Sequence, residues 1–333
     1  MSCTDKRHIL EIDELSVSFS QYENSRSSRQ IDLAVISKLS VSVHEGEIVA
    51  VVGSSGSGKS LLAHAILDLL PYNAKVEGDM YFDGELLDRE RIGRLRGREI
   101  AFVPQSTNYL DPLMPVGMQV RGSRKDDSIR KKQQELFRRY GLEADVDEKY
   151  PFECSGGMTR RVLLTSALMG NPELIIADEP TPGMDLELAK KSMEDFRNFA
   201  DEGKGVLLIT HDIELALEVA DRIAVFYAGT TVEEALVSDF KSEDTLRHPY
   251  TKALWRALPQ NGFQPLPGVQ PYVKEMPKGC PFGPRCSKYS QECQGEIPMQ
   301  RVGCGTVRCV KYKGEPLSVT EHHHHPREKG EQK

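Results

Sequence analysis

Residues 9–19, ILEIDELSVSF, alternate apolar and polar side chains, the period of a strand buried on one face. The polar stretch at 20–30, SQYENSRSSRQ, predicts a loop between strands. VISKLSVSVHEGEIVAVVG (35–53) reads as a strand, a turn at Glu45-Gly46 and a fully apolar strand. After Lys59 the spacing of SLLAHAILDLL predicts a helix, ended by Pro71. Residues 76–103 read as β-rich and close in IAFVPQ. From about 106 to 170 the helical period takes over. SIRKKQQELFRRYGL (128–142) is amphipathic with a glycine stop, and GGMTRRVLLTSALMG (156–170) is a second helix. The α/β alternation returns with LIIADEP (174–180), a helix across 185–200, the strand GVLLIT (205–210), a helix from 212, and DRIAVFYAG (221–229). Past about 235 the chain turns rich in Pro, Gly and Cys and predicts a small domain with little core of its own. Its end, EHHHHPREKGEQK, predicts disorder. No internal repeat is visible.

This is an α/β pattern with a helical insertion. Composition adds exclusions. At 333 residues, 39% hydrophobic and 28% charged, the chain suits one large domain with an appendage, or two domains. Its apolar runs fall far short of the roughly 20 residues that span a bilayer. The N-terminus lacks the basic-then-apolar order of a signal peptide, which predicts a cytoplasmic location. A net charge of −7 with interleaved signs argues against nucleic acid as a partner. In a reducing compartment, the clustering of five of seven cysteines after residue 279 points to metal or redox chemistry.

The sharpest chemistry is GSSGSGKS, Gly53 to Ser60, which fits the phosphate-binding loop G-x-x-x-x-G-K-[ST] in full. Gly53, Gly56 and Gly58 let the backbone curl so that amides, that of Ser54 among them, point at phosphate oxygens. Lys59 supplies a full charge to the β- and γ-phosphates, and Ser60 can ligate Mg²⁺. LIIADE (174–179) pushes Asp178 out at the C-terminal edge of a buried strand, where ligands bind in parallel sheets. Asp178 is placed to hold Mg²⁺, and Glu179 to polarise the water attacking the γ-phosphate. CSGGMTRR places Ser155, Gly156 and Gly157 at a helix N-terminus, which makes a second phosphate site. Two such sites about a hundred residues apart suit a nucleotide sandwiched between two subunits.

With these motifs in this order, the chain resembles the ATP-binding-cassette (ABC) ATPases across about residues 9–235. The resemblance implies a P-loop, RecA-like core with an antiparallel β subdomain. Gln105 matches the Q-loop glutamine that senses Mg²⁺ and the membrane partner. Asp185 in PGMD matches the D-loop, and His211 in LLITHD matches the switch histidine. Phe19 is the best match for the aromatic that stacks on adenine, with Tyr22 second. Cys154 replaces the usual leucine before Ser155, and Thr159-Arg160 stand where Arg-Gln is usual. Long coiled-coil insertions, a second cassette and fused membrane helices are all absent from the sequence, which disfavours repair, translation and export members.

RHPYTKALWRALP (247–259) and GCPFGPRCSKYSQEC resemble the C-terminal extension of dipeptide, oligopeptide and nickel importers, taking the resemblance to about residue 310. It implies an ATPase that energises import of peptides or nickel complexes from the cytoplasmic face of the membrane. It also implies two permease subunits, a second homologous ATPase subunit, and an extracytoplasmic solute-binding protein. The alternative is a soluble ABC-type regulatory or repair ATPase; a P-loop kinase comes third. Some members of this subgroup carry a [4Fe–4S] cluster in the tail. On that likeness Cys280, Cys286, Cys293 and Cys309 are the expected ligands, Cys304 is a spare, and Zn²⁺ is the alternative metal. The run His322–His325 reads as a solvated tail and shifts cargo slightly towards nickel. The division expected is a nucleotide-binding domain at 1–235, an extension at 236–312 and a disordered tail at 313–333.

Overall fold

The structure, a computed structural model, describes residues 6–22, 30–54, 56–122 and 126–316. The expected tail lies outside the described residues from 317 onward, the His322–His325 run included.

The first three strands are β1 (His8–Tyr22), β2 (Gln30–His44) and the wholly buried β3 (Glu47–Gly53). α1 (Lys59–Ile66) follows, then β4 (Ala74–Phe82), β5 (Glu85–Leu86), α2 (Arg89–Leu95) and β6 (Ile100–Val103). The helical insertion carries α3 (Val116–Arg121), α4 (Asp127–Arg139) and α5 (Gly156–Leu168). The core resumes with β7 (Leu174–Asp178), α6 (Leu186–Asp201), β8 (Gly205–Thr210), α7 (Ile213–Val219), β9 (Arg222–Tyr227) and β10 (Thr230–Leu236). The extension holds α8 (Pro249–Arg256), β11 (Gln300–Val302), β12 (Gly305–Val307) and β13 (Glu315–Pro316).

A nine-stranded sheet runs β13-β11-β12-β10-β9-β3-β8-β7-β6, and its β9-β3-β8-β7-β6 portion is parallel. A four-stranded antiparallel sheet, β2-β1-β4-β5, packs to one side. Alternation along β3 explains the layering. Ile48, Ala50 and Val52 face a core shared with Met193 and Phe196 of α6, while Val49 and Val51 face Leu62, Ile66 and the antiparallel sheet. The insertion has its own core around Val116, Phe137, Val162 and Leu163.

Three local expectations need correction. The 76–103 stretch is not purely β: Asp88 accepts from the Arg91 amide and caps α2, whose Ile92 and Leu95 form the buried face. α1 stops before Pro71, because Asp68 turns left-handed (φ 49°) and the Arg96 guanidinium takes the Leu67 carbonyl at 2.8 Å. The hairpin arms run further into the loop expected at 20–30, held by Ser20 donating to Asp32 at 2.6 Å and by Lys75 donating to the same carboxylate at 2.6 Å.

The extension, expected as a small separate domain, shares the packing of the main core. β12 pairs with β10, and Phe282 lies in the same apolar cluster as β3 and α6. Arg308 bonds the carbonyls of Lys38 at 2.8 Å and Ile297 at 3.1 Å, tying the extension to β2. The segment from 236 onward is therefore joined to the catalytic core by a shared sheet and shared packing.

Candidate functional site

Gly53 ends β3 where no side chain fits: a Cβ there would lie 2.2 Å from the Phe226 carbonyl oxygen of β9. The loop then curls through Gly56 (φ 75°) and Gly58 (φ 95°), and Gly58 opens α1 without a side-chain cap. The first amides of α1 are thus left for a ligand. Lys59 is buried, and its ammonium donates to the carbonyls of Gly53 (2.8 Å) and Ser54 (2.9 Å). Burial holds its pKa below the usual lysine value, against the pull of Glu179 and Asp178. The Ser57 hydroxyl is buried in the same loop with no hydrogen-bond partner among the described residues. A buried cation, uncapped amides and an orphaned hydroxyl around one loop fit a phosphate chain.

Ser60 donates to Asp178 Oδ1 at 3.1 Å, which brings the two expected Mg²⁺ ligands together. Glu179 follows in a left-handed conformation (φ 47°), its amide donating to the Ile209 carbonyl at 2.8 Å. Strain of this kind, held by a neighbouring strand, is a common mark of a working site. Glu179 Oε1 and His211 Nδ1 lie 2.8 Å apart, and Thr210 donates to Glu179 Oε2 at 3.4 Å. Thr210 was not foreseen; it ends β8 one residue before the histidine, and position alone could have suggested it. Val103 pairs with Ala177, so Gln105, exposed two residues on, sits at the same sheet edge as Asp178 and Glu179.

Burial pushes the Asp178 carboxyl up to about 6; Glu179 adds to the rise, while Ser60 and Lys59 oppose it. An acid whose folded pKa lies above its unfolded value near 3.9 binds its proton more readily in the native state. Folded stability from this group is then lost as pH rises from about 4 through about 6. Asp178→Asn should therefore stabilise the nucleotide-free protein at pH 7.5 by up to about 3 kcal/mol, and by little at pH 4. Urea unfolding at the two pH values reads the difference; an equal effect at both would contradict a buried, ionised Asp178.

The remaining motifs stand apart from this cluster. Ser155 caps α5, accepting from the Met158 amide, and Asp185 caps α6, accepting from the Leu188 amide at 2.9 Å. Ser155 and Gly156 are exposed, and no hydrogen bond joins them to the P-loop among the described residues. Gly157 instead abuts the Gly183 carbonyl beside Asp185. The unusual Arg160 reaches the Glu179 carbonyl at 3.5 Å, and Cys154 packs as a small apolar residue on the insertion core. Phe19 is half-buried against the antiparallel-sheet core, and Tyr22 is 61% exposed at the end of β1. Ser54 is engaged elsewhere, as its hydroxyl donates to Gln270 Oε1 at 2.7 Å.

The four expected cysteine ligands converge. Cys280, Cys286, Cys293 and Cys309 line one cavity with His248, Lys288 and Lys311; Cys304 does not line it. Burial, with added repulsion from the other three thiols, pushes Cys280 up to about 11. Four cysteine sulfurs lining one cavity are a donor set that, once deprotonated, a cationic centre would suit. Among the described residues no three His, Cys, Asp or Glu side chains gather closely enough to hold a single ion.

A P-loop with a buried lysine, an acidic sheet edge, a glutamate–histidine pair and a separate serine-capped helix N-terminus define a nucleotide-hydrolysing ATPase of the cassette type. The ABC transporter family profile matches residues 36–182, and the profile of the oligopeptide/dipeptide transporter C-terminal region matches 232–293. The dipeptide transport ATP-binding protein DppD of Haemophilus influenzae is 33% identical over 338 residues, covering 93% of this chain and 98% of its own. The oligopeptide transport ATP-binding protein OppD of Salmonella typhimurium is 32% identical over 322 residues, covering 91% and 93%. A solved dimeric ATP-binding cassette in a post-hydrolysis state, bound to ADP and Pi, matches with TM-score 0.60 at 28% identity, covering 68% of this chain and 98% of that one. The chain belongs to the ATP-binding subunits of ABC transporters, in the dipeptide/oligopeptide group. It hydrolyses ATP to drive transport.

Proposed function

We propose that this subunit energises peptide import, working at the cytoplasmic face beneath two permease subunits and paired with a second, homologous ATPase subunit. An extracytoplasmic binding protein would deliver the cargo. The observation that carries this reading is the split of the nucleotide machinery. Lys59, Asp178, Glu179 and His211 form one half-site, and the Ser155-Gly156-Gly157 end of α5, exposed at Ser155 and Gly156, forms another that no hydrogen bond joins to the first among the described residues. Each half-site is finished by a partner ATPase. The relatives named for dipeptide and oligopeptide transport favour peptides over nickel complexes. Among the described residues no helix is long and apolar enough to cross a membrane.

In the proposed cycle the amides of the P-loop, Gly53 to Ser60, and Lys59 hold the phosphates, while Phe19 supports the base. Ser60, Asp178 and Gln105 would hold Mg²⁺, which supplies charge neutralisation at the phosphates. Glu179 orients the attacking water and takes its proton, and His211 holds Glu179 in place and faces the γ-phosphate. Asp185 lies on the dimer face. Reconstitution with the permease pair tests the reading: ATP hydrolysis should rise with peptide-loaded binding protein. Equal stimulation without permease would favour the soluble regulatory alternative.

We also assign Cys280, Cys286, Cys293 and Cys309 as ligands of a [4Fe–4S] cluster, supported by their shared cavity and by a count of four thiols. Protein purified without oxygen should contain about four iron and four sulfide per chain, with broad absorbance near 400 nm. Zinc alone would make the tail a structural staple, and neither metal would overturn the assignment.

A further inference from the structure

The extension touches the P-loop itself. Ser54, the second residue of the loop, donates its hydroxyl to Gln270 Oε1 at 2.7 Å, and its carbonyl receives the Lys59 ammonium at 2.9 Å. The Tyr250 hydroxyl lies beside Ser54, whose amide and side chain favour its ionised form and so oppose the rise that burial gives its pKa. Gln270 and Tyr250 lie beyond the nucleotide-binding core, in the segment that also carries the cysteines.

The same segment runs back to the thiol cavity through buried contacts. Tyr250 packs its ring on Tyr227 (centroids 4.5 Å) and on Phe282 (5.4 Å), two residues after Cys280. His248, which lines the cavity, accepts from the Tyr250 amide through Nδ1 at 3.1 Å and lies 5.9 Å from the Phe282 ring. Its own amide is fixed by Glu233 Oε2 at 2.7 Å. Arg285, next to Cys286, donates to the Tyr227 hydroxyl at 3.2 Å. Tyr227, His248, Tyr250 and Phe282 are all buried, so a change in the cysteine loop has little slack to absorb it.

We propose that Tyr250 and Gln270 are positioning residues for the P-loop, and that the packing of the four-cysteine loop around His248 and Phe282 sets their position and thereby the affinity for ATP. The proposal concerns the protein route from cavity to loop and stands whatever the thiols hold. It assigns the extension a part in the ATPase site that its sequence position conceals. Kept in place, the brace fixes Ser54 so that its carbonyl and the neighbouring amides stay aimed at Lys59 and the phosphates. Released, the loop must order itself at the expense of nucleotide binding.

The test uses the full chain, purified without oxygen, with a fluorescent ATP analogue for affinity and steady-state kinetics for kcat and KM. Tyr250→Phe keeps the ring packing and removes the hydroxyl beside Ser54; Gln270→Ala removes the bond to Ser54. Each should weaken ATP binding by about five- to tenfold, the worth of one or two hydrogen bonds. The effect should appear in KM, with kcat changed by less than about twofold and faster amide exchange confined to the P-loop. Cys286→Ser should shift affinity in the same direction, and should add nothing further in the Tyr250→Phe background. Unchanged affinity in both Tyr250→Phe and Gln270→Ala overturns the proposal. Full additivity of Cys286→Ser with Tyr250→Phe also overturns it, because the cavity would then act by another route. If Cys286→Ser does not fold, the first two variants still decide the bracing role. Iron and sulfide content of Tyr250→Phe should equal that of the wild type, so loss of the metal assignment and loss of the brace are read separately.

Discussion

Glu179→Gln is expected to cut ATP hydrolysis by about 10²- to 10⁴-fold, the usual contribution of a positioned general base, while leaving ATP affinity within a few fold. The amide keeps the size of the carboxyl and can still meet His211, which lies 2.8 Å from the Glu179 carboxylate. It cannot take a proton from water. The groups assigned to phosphate and Mg²⁺ binding, Lys59, Ser60 and Asp178, are untouched by the change. The variant should therefore fill its sites with ATP and stay there. On the proposed pairing of half-sites between two subunits, stalled ATP should hold the two ATPases together. Gel filtration with Mg-ATP should show a lasting dimer peak, and phosphate release should be close to background. Full phosphate release by this variant would move the base elsewhere, with His211 the next candidate.

The backbone sends the two adjacent carboxylates in different directions. Asp178 ends a buried strand and faces Ser60; Glu179 turns left-handed at φ 47° and is swung towards β8 and His211. Two adjacent carboxylates thus serve different partners. The raised pKa of Asp178, about 6, reflects burial first and the nearby Glu179 charge after it. A cation shared by the site would relieve both.

Much of this was legible in the sequence because the signals are local. The fully apolar EIVAVVG predicts a buried strand, and GSSGSGKS predicts the loop that follows; both lie where expected. GVLLIT matches β8 residue for residue. What the sequence hid were contacts between distant segments. Nothing local in Thr210 shows that its hydroxyl reaches Glu179, and nothing in Arg160 shows that it reaches the Glu179 carbonyl. The extension was the largest case. Its Pro- and Gly-rich composition predicts a piece folding by itself, yet Phe282 is buried in the main core and Gln270 reaches Ser54. Strand pairs as short as β10 with β12, joined at Glu233–Val307 and Glu234–Thr306, leave no periodic trace to read. The helix α2 escaped for a related reason: seven residues carry too few apolar positions to separate a helical from a strand period.

Lys59→Met should be the most damaging change to nucleotide binding. The substitution keeps an unbranched chain of similar length in a buried position and removes only the charge and its donors. The ammonium now bridges the Gly53 and Ser54 carbonyls at the mouth of the loop. Removing one partner of a buried, charge-assisted contact costs about 2–4 kcal/mol, which is about 30- to 1,000-fold in ATP affinity. The loss falls on binding, so it should appear as a raised KM, and saturating ATP should restore much of the rate. A second effect follows from the electrostatics. Lys59 is one of the groups holding the Asp178 pKa down, so its removal should move that pKa above 6 and weaken the acidic edge at neutral pH. In Lys59→Met the stabilising effect of Asp178→Asn should accordingly persist, with its onset shifted to higher pH. Equilibrium binding of the fluorescent ATP analogue, with urea melts of the single and double variants, measures both effects. ATP affinity within about fivefold of wild type would remove Lys59 from the phosphate site, since no other buried cation lies within hydrogen-bonding reach of Gly53 and Ser54 among the described residues.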